Sequence, residues 1–282
     1  MPVIHLTDRA LIRASGPEAA KFLQGVLTCN VLTMQAGEAR YGALLYPQGK
    51  ILADFLLLRD GAESFLFDVP AEQAAVFLKR LGFHRLRAKL ELKVEPDLAV
   101  AAVFAEGAAP EGLAFADPRL AALGQRVVLP KAAAEALPAD MAPYEAHRIG
   151  LAIPKGGVDF PYDDTFPHEA DMDQLGGVDF HKGCYVGQEV VSRMEHRTTP
   201  RNRLVAAIFP GPAVPGAEIM AGEKTVGRVG SVAGERAIAS VRLDRATDAA
   251  AAGVPLTAGG ATVELRRPDW AHFSMQYEKA GG

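Results

Sequence analysis

The sequence predicts an α+β protein, on three observations. The first two segments alternate short apolar runs with helical stretches, without an exact repeat. From about Arg203 the pattern changes to short β-rich runs broken by Pro210-Gly211-Pro212, Pro215-Gly216 and Gly259-Gly260, as in a small barrel. Between them, Gly150 to Gly177 mixes Gly, Pro, Asp and Phe with little periodicity. A long irregular stretch inside a compact protein is usually functional or disordered, and its aromatics argue against disorder.

The elements follow in order. Val3–Leu6 and Leu11–Arg13 read as strands. Ser15, Pro17 and Glu18 look like a helix start, and Ala19, Phe22, Leu23, Val26 and Leu27 keep helical spacing. Tyr41–Tyr46 and Ile51–Arg59 form a hairpin turned by Pro47-Gln48-Gly49-Lys50, Ser64–Val69 is another strand, and Ala71–Leu81 a helix. Leu90–Val94, Leu98–Phe104 and Gln125–Leu129 read as strands, Lys131–Leu137 and Tyr144–Ile149 as helices. Glu106–Glu111 is a small-residue loop, and Gln188–Met194 opens a helix. The barrel strands are Arg203–Phe209, Thr225–Val232, Ala237–Leu243 and Ala261–Arg266.

Composition narrows the class. The 282 residues are 49% hydrophobic, enough for a real core, and the net charge of −4 does not suggest a nucleic-acid binder, though a local basic patch is compatible with it. Two cysteines, Cys29 and Cys184, make no disulfide framework and point to a reducing compartment. The first ten residues hold no signal-peptide run, and no apolar stretch approaches a membrane span. The expectation is a cytoplasmic protein with no membrane partner and no stable nucleic-acid complex.

The chemistry concentrates in Lys182-Gly183-Cys184-Tyr185-Val186-Gly187-Gln188-Glu189. A thiol near a helix N-terminus and next to Lys182 should have a larger thiolate fraction, making Cys184 a candidate nucleophile, redox centre or soft-metal ligand. His181 could serve as its base, or be a surface turn residue. The bland reading of Cys184 is a small buried hydrophobe. One thiolate cannot hold an iron–sulfur cluster, which needs four ligands, so no stable metal site is expected; Cys184 could be a transient ligand only with a partner. Arg193, His196, Arg197, Arg201 and Arg203 form a basic run, read here as a solvated face around Glu195. The acidic residues Asp159 to Asp173 lack a calcium-loop pattern and are not read as a cation site.

The octapeptide resembles the KGCYxGQE signature of the YgfZ-type family, a branch of the glycine-cleavage T-protein superfamily. Phe22-Leu23-Gln24-Gly25 with Thr28-Cys29-Asn30-Val31, the Pro47–Lys50 hairpin, Asp117-Pro118-Arg119 with Leu123-Gly124, and Arg148-Ile149 through Phe166-Pro167-His168-Glu169 extend the resemblance over nearly the whole chain. The resemblance implies a three-lobed cloverleaf: two ferredoxin-like lobes and a C-terminal β-barrel around a central folate site. The lobes would divide as 1–90 (completed by 141–200), 91–140, the motif-bearing segment 141–202, and the barrel 203–282. It implies tetrahydrofolate or a related reduced folate as ligand and support of iron–sulfur maturation through Cys184, with an A-type cluster carrier as partner.

For the folate, the resemblance points to Tyr41, with Asp54, and favours Arg148, which could clamp a carboxylate bidentately, including a folate glutamate tail. Tyr41 could instead be an ordinary strand aromatic, and Arg148 a helix-end salt bridge. The T-protein's paired aspartates here read Ala53-Asp54. If the first of the pair does the chemistry, the catalytic carboxylate is missing and aminomethyl transfer is in doubt. The competing functions are an accessory factor acting through Cys184, a folate-dependent aminomethyltransferase-like or other one-carbon enzyme, and an interaction module with a vestigial pocket.

Overall fold

The computed structural model describes residues 3–105, 107–197 and 200–275; Glu106 and the side chain of Arg197 lie outside the described residues. The α+β expectation with a C-terminal barrel holds, and three sheets organise the chain.

The first sheet contains β2 (Arg9–Ser15), β3 (Ala39–Leu45), β4 (Ile51–Gly61), β5 (Ser64–Pro70) and β6 (Glu91–Val94), in the order β3-β4-β5-β2-β6, all antiparallel. Strand alternation gives it two buried faces. Ala53, Phe55 and Leu57, joined by Leu52 at a break in the β3–β4 register, face helices α1 (Ala19–Val26) and α2 (Ala74–Arg85), where Phe55, Phe67 and Phe77 meet edge to face at 5.0–5.6 Å. Tyr41, Leu45, Leu56 and Leu58 face the centre of the molecule.

The second sheet has the order β1-β7-β9-β8, from β1 (Val3–His5), β7 (Leu98–Val103), β8 (Leu113–Ala116) and β9 (Gln125–Pro130), backed by α3 (Lys131–Ala134). Sheet membership departs from a cut at residue 90. Val3–His5 pairs with β7 in the second sheet, and Glu91–Val94 pairs with β2 in the first. Backbone hydrogen bonding decides this: each strand closes the open edge of the sheet that the other end of the segment builds.

The third sheet has seven antiparallel strands in the order β15-β14-β11-β12-β13-β10-β16 and is nearly closed. They are β10 (Asn202–Ile208), β11 (Glu218–Ala221), β12 (Lys224–Ala233), β13 (Arg236–Arg242), β14 (Leu256–Ala258), β15 (Ala261–Thr262) and β16 (Glu264–Arg266). Helix α4 (Ala142–Gly150) bridges β12 and β13 to the central core, α5 (Gln188–Arg197) follows the octapeptide, and α6 (Leu243–Ala251) covers the barrel.

One helix start is elsewhere than expected. Ser15 ends β2, Gly16 turns the chain at φ +136, and α1 begins at Ala19 with no side-chain cap. The Glu18 carboxylate accepts instead from the Lys89 N–H, tying the helix start to β6's approach. After α4 ends at Gly150, residues 151–177 form no helix or strand, only an isolated bridge between Gly156 and Phe160, and their apolar side chains enter the central core.

Candidate functional site

The octapeptide forms a loop held from beneath. Lys182 is buried and its Nζ donates to the Gln24 and Leu27 carbonyls, both at 2.5 Å. Gln24 replies, its Nε2 donating to the Lys182 carbonyl at 2.8 Å while its Oε1 accepts from the Val31 N–H. Upstream, the Thr28 hydroxyl donates to the Gly177 carbonyl and the Asp179 N–H to the Thr28 carbonyl. Tyr185 is buried beside Lys182, whose Nζ lies 4.9 Å from the ring centroid. Gly187, at φ +82, sits against the β3–β4 turn, where a Cβ would stand 2.6 Å from the Tyr46 carbonyl. Only glycine satisfies both the backbone and the space. With residues 182 and 185 anchored inward, Gly183 and Cys184 between them are exposed.

Cys184 is therefore presented outward rather than packed away, but neither device expected to activate it is in place. Lys182 turns its amine into the α1 end, toward Cys29, because the unpaired carbonyls there need a donor. Helix α5 starts at Gln188, which puts Cys184 outside its first turn, where the dipole acts. His181 is exposed, and its backbone N–H bonds Asp179. Burial lowers Lys182 to about 8, against the opposing pull of Cys29 and Asp179. Burial likewise pushes the Cys29 thiol up to about 11, leaving it a protonated core residue.

A second polar cluster lies on the central face of the first sheet. Asp54 is buried, and its two carboxylate oxygens accept from the phenols of Tyr41 (3.2 Å) and Tyr162 (2.5 Å). Burial and then the Asp54 charge raise both phenols, so they stay protonated as donors. Glycines make room: a Cβ at Gly156 would stand 2.1 Å from the Tyr162 hydroxyl, and one at Gly177 2.8 Å from the Tyr41 ring. Ala53 points to the opposite face, into the apolar core under the helices. The missing carboxylate at 53 thus says nothing about chemistry at the central face, where Asp54 stands.

Around this cluster runs a buried ionic network that sequence reading did not assemble. Arg9 donates to Asp68, and Arg126 donates to Asp68, Asp117 and the Tyr144 hydroxyl. Arg119 holds both oxygens of Asp117 and lies over the Tyr41 ring. Burial pushes the Asp117 carboxyl up, but Arg119 and Arg126 outweigh it and hold it at about 2.

Arg148 does not join the site. It is fully buried, and all five guanidinium N–H groups are committed, to Glu145 (twice), Asp159, the Ile153 carbonyl and the Ser231 hydroxyl. The expectation of a carboxylate clamp is corrected: the loop after α4 folds Asp159 back onto the guanidinium and leaves no donor for a ligand. Arg203 is likewise internal, holding Asp171, Asp173 and the His168 carbonyl. His168, Asp173 and Glu195 bring potential ligand atoms within 4.8 Å of one another. Both Asp173 oxygens are already held by Arg203, and His168 Nε2 lies 3.0 Å from Glu195, so the cluster works as a tie between β10, the irregular segment and α5.

Comparison with known proteins extends the reading. Residues 3–101 match the GCVT N-terminal domain, and residues 201–273 the C-terminal β-barrel domain of CAF17. The chain is 34% identical over 231 residues to the mitochondrial iron–sulfur cluster assembly factor IBA57 homolog of Neurospora crassa, covering 72% of this chain and 53% of that protein. It is 31% identical over 259 residues to the mitochondrial assembly factor IBA57 of Homo sapiens, covering 79% of this chain and 72% of that protein. The chain thus spans about half the length of the fungal relative. The glycine-cleavage aminomethyltransferase T of Bartonella henselae shares the fold, with a TM-score of 0.76 at 16% identity over 95% of this chain and 86% of that one. The expected cytoplasmic location is corrected, because these relatives are named as mitochondrial proteins. That expectation rested on the first ten residues, which do not bear on location in a chain spanning half of such a relative. With a GCVT-type first domain, a CAF17-type barrel and 31% identity across 72% of the human protein, the chain belongs to the IBA57 family of GcvT-like proteins.

Proposed function

We propose that this protein is a folate-binding accessory factor of the YgfZ type for iron–sulfur cluster assembly or repair, acting through Cys184 with a partner cluster carrier of the A type. The observation that carries the reading is the display of Cys184 at the tip of a loop whose neighbours Lys182, Tyr185 and Gly187 are all anchored. An exposed thiol on a fixed loop can reach a cluster held by another protein. A cluster needs four ligands and this site offers one, so the cluster is cargo and the carrier supplies the rest. Relatives named as iron–sulfur assembly factors support the same reading.

The central cluster fits a reduced folate in its chemistry. A pterin presents amino and ring N–H donors, and Asp54 is a buried carboxylate able to accept them, fixed by two phenols. Tyr41 and Tyr162 add aromatic rings, and the glycines at 156 and 177 let the backbone close on those rings and fix them. Tyr41, Asp54 and Tyr162 would hold the ligand. The relatives named as IBA57 assembly factors favour this role over the one-carbon-enzyme alternative.

Two measurements test the proposal. Titration with tetrahydrofolate, followed by calorimetry, should saturate for wild type and for Cys184→Ala, and weaken about tenfold or more for Tyr41→Ala, which removes one donor to Asp54 and a ring face. In a cluster-transfer assay with a loaded A-type carrier, Cys184→Ala should fold normally yet fail to support delivery. Full delivery by that variant would remove the thiol from the mechanism, and an unchanged folate affinity in Tyr41→Ala would remove Tyr41 from the pocket.

A further inference from the structure

Burial along α2 is one-sided. Phe77 and Leu81 are fully buried against the first sheet, whereas Val76, Lys79 and Phe83 are exposed and share a helix face by their spacing. Leu86, just beyond the helix, is exposed too. Phe83 is 75% exposed and Leu86 86%. A side chain lining a groove is shielded by its walls, so at these values both project from the surface. Leu86 is carried outward at φ +48, a conformation uncommon for a bulky side chain.

The same segment is strongly basic. Between Glu72 and Glu91 there is no acidic residue, while Lys79, Arg80, Arg85, Arg87 and Lys89 fall there, in a chain of net charge −4. Lys79, Arg85, Arg87 and Lys89 are exposed. Among the described residues none of the five enters an ion pair, whereas Arg193, Arg242 and Arg266 elsewhere on the surface each pair with a carboxylate. Arg85 donates to the Leu90 carbonyl and Arg80 lies over the Tyr46 ring, but none of the five is neutralised by a carboxylate, and such cations beside protruding apolar side chains are the two halves of an interfacial anchor.

We propose that this face docks on an anionic lipid bilayer, with Val76, Phe83 and Leu86 entering the interface and Lys79, Arg85, Arg87 and Lys89 meeting the head groups. Two features favour a bilayer over an acidic macromolecule. Protruding apolar side chains need a matching socket in a folded partner, whereas a head-group layer yields around them. Val76 and Leu86 also gain nothing against a phosphate backbone. Among the described residues no helix is long and apolar enough to cross a membrane, and peripheral docking requires none. The expectation of no membrane partner rested on span length alone, which does not address a surface. The proposal is independent of Cys184 and of folate.

Flotation of the full chain with vesicles tests it, using phosphatidylglycerol and phosphatidylcholine in equal parts against phosphatidylcholine alone. Wild type should float with the anionic vesicles only, and less as salt is raised. The double variant Phe83→Ser, Leu86→Ser removes only exposed side chains; its urea midpoint should hold while vesicle affinity falls about tenfold or more. Lys79→Glu with Arg87→Glu should abolish flotation. Absence of wild-type flotation at low salt overturns the proposal, as does a double variant that floats like wild type. Binding of single-stranded RNA or polyglutamate without vesicle binding would give the face to an acidic macromolecule and overturn it as well.

Discussion

Single side chains decide what the central face can do, and their legibility varied with how local their partners are. Cys184 stands out in sequence because its motif is contiguous. Asp54 is found from its hairpin. Tyr162, 108 residues further on, has no periodic signal, since it sits in a segment without secondary structure. The Asp117 network was missed for a similar reason: Asp117 and Arg119 stand out only within the Asp117-Pro118-Arg119 motif, and Arg126, Asp68 and Arg9 reach them only across two sheets. That network has a measurable consequence. With Asp117 at about 2 when folded and 3.8 when unfolded, the unfolded chain binds more protons between these values. Stability from this carboxylate is therefore complete above about pH 4 and is lost as pH falls toward 2, by roughly 2 kcal/mol. Urea unfolding across the acid limb should show this slope for wild type and a shallower one for Asp117→Asn; equal slopes would place the acid sensitivity elsewhere.

At the scale of elements, the octapeptide loop is rigid because it is built against two others. Lys182 and Gln24 cross-bond it to α1, and Gly187 lies on the turn between β3 and β4. The strands of that hairpin were legible from their apolar runs and the Pro-Gln-Gly-Lys turn, and both are found. The start of α1 was not, because Ser15, Pro17 and Glu18 imitate a capping box while backbone pairing with β5 and β6 keeps Ser15 in its strand. Short strands β11 and β14 were also missed; with four and three residues, they have too little alternation to register. The contact of Gly187 with the hairpin predicts that Gly187→Ala displaces the loop. The added methyl meets the Tyr46 carbonyl at 2.6 Å and the backbone disfavours it at φ +82, so a loss of about 1–3 kcal/mol is expected. Faster alkylation of Cys184 in this variant, with folate affinity unchanged, would show that the loop and the central cluster are separate devices. Unchanged alkylation would mean the loop is not held by that contact.

Across the whole molecule, the three sheets share one apolar core, and buried arginines stand at their junctions. Arg126 spans the two N-terminal sheets, Arg203 ties β10 to the irregular segment, and Arg148 links α4, the irregular segment and β12 of the barrel. The sequence shows each arginine but not its partners, since Asp159 and Ser231 become neighbours only after the irregular segment folds back and the barrel closes. This is why Arg148 looked available for a ligand. Its role is instead testable as a joint. Arg148→Ala leaves Asp159 fully buried without its cation, and removing one partner of such a pair costs about 3–5 kcal/mol. Asp159 still accepts from the Lys155 and Ser231 N–H groups, which favours the lower end of that range. The double variant Arg148→Met, Asp159→Asn removes both charges and should recover much of the loss. Urea unfolding should show this order, while tetrahydrofolate affinity of the folded Arg148→Met, Asp159→Asn protein stays at the wild-type value. A selective fall in that affinity, with stability recovered, would return Arg148 to the ligand and mean that its internal bonds open on binding.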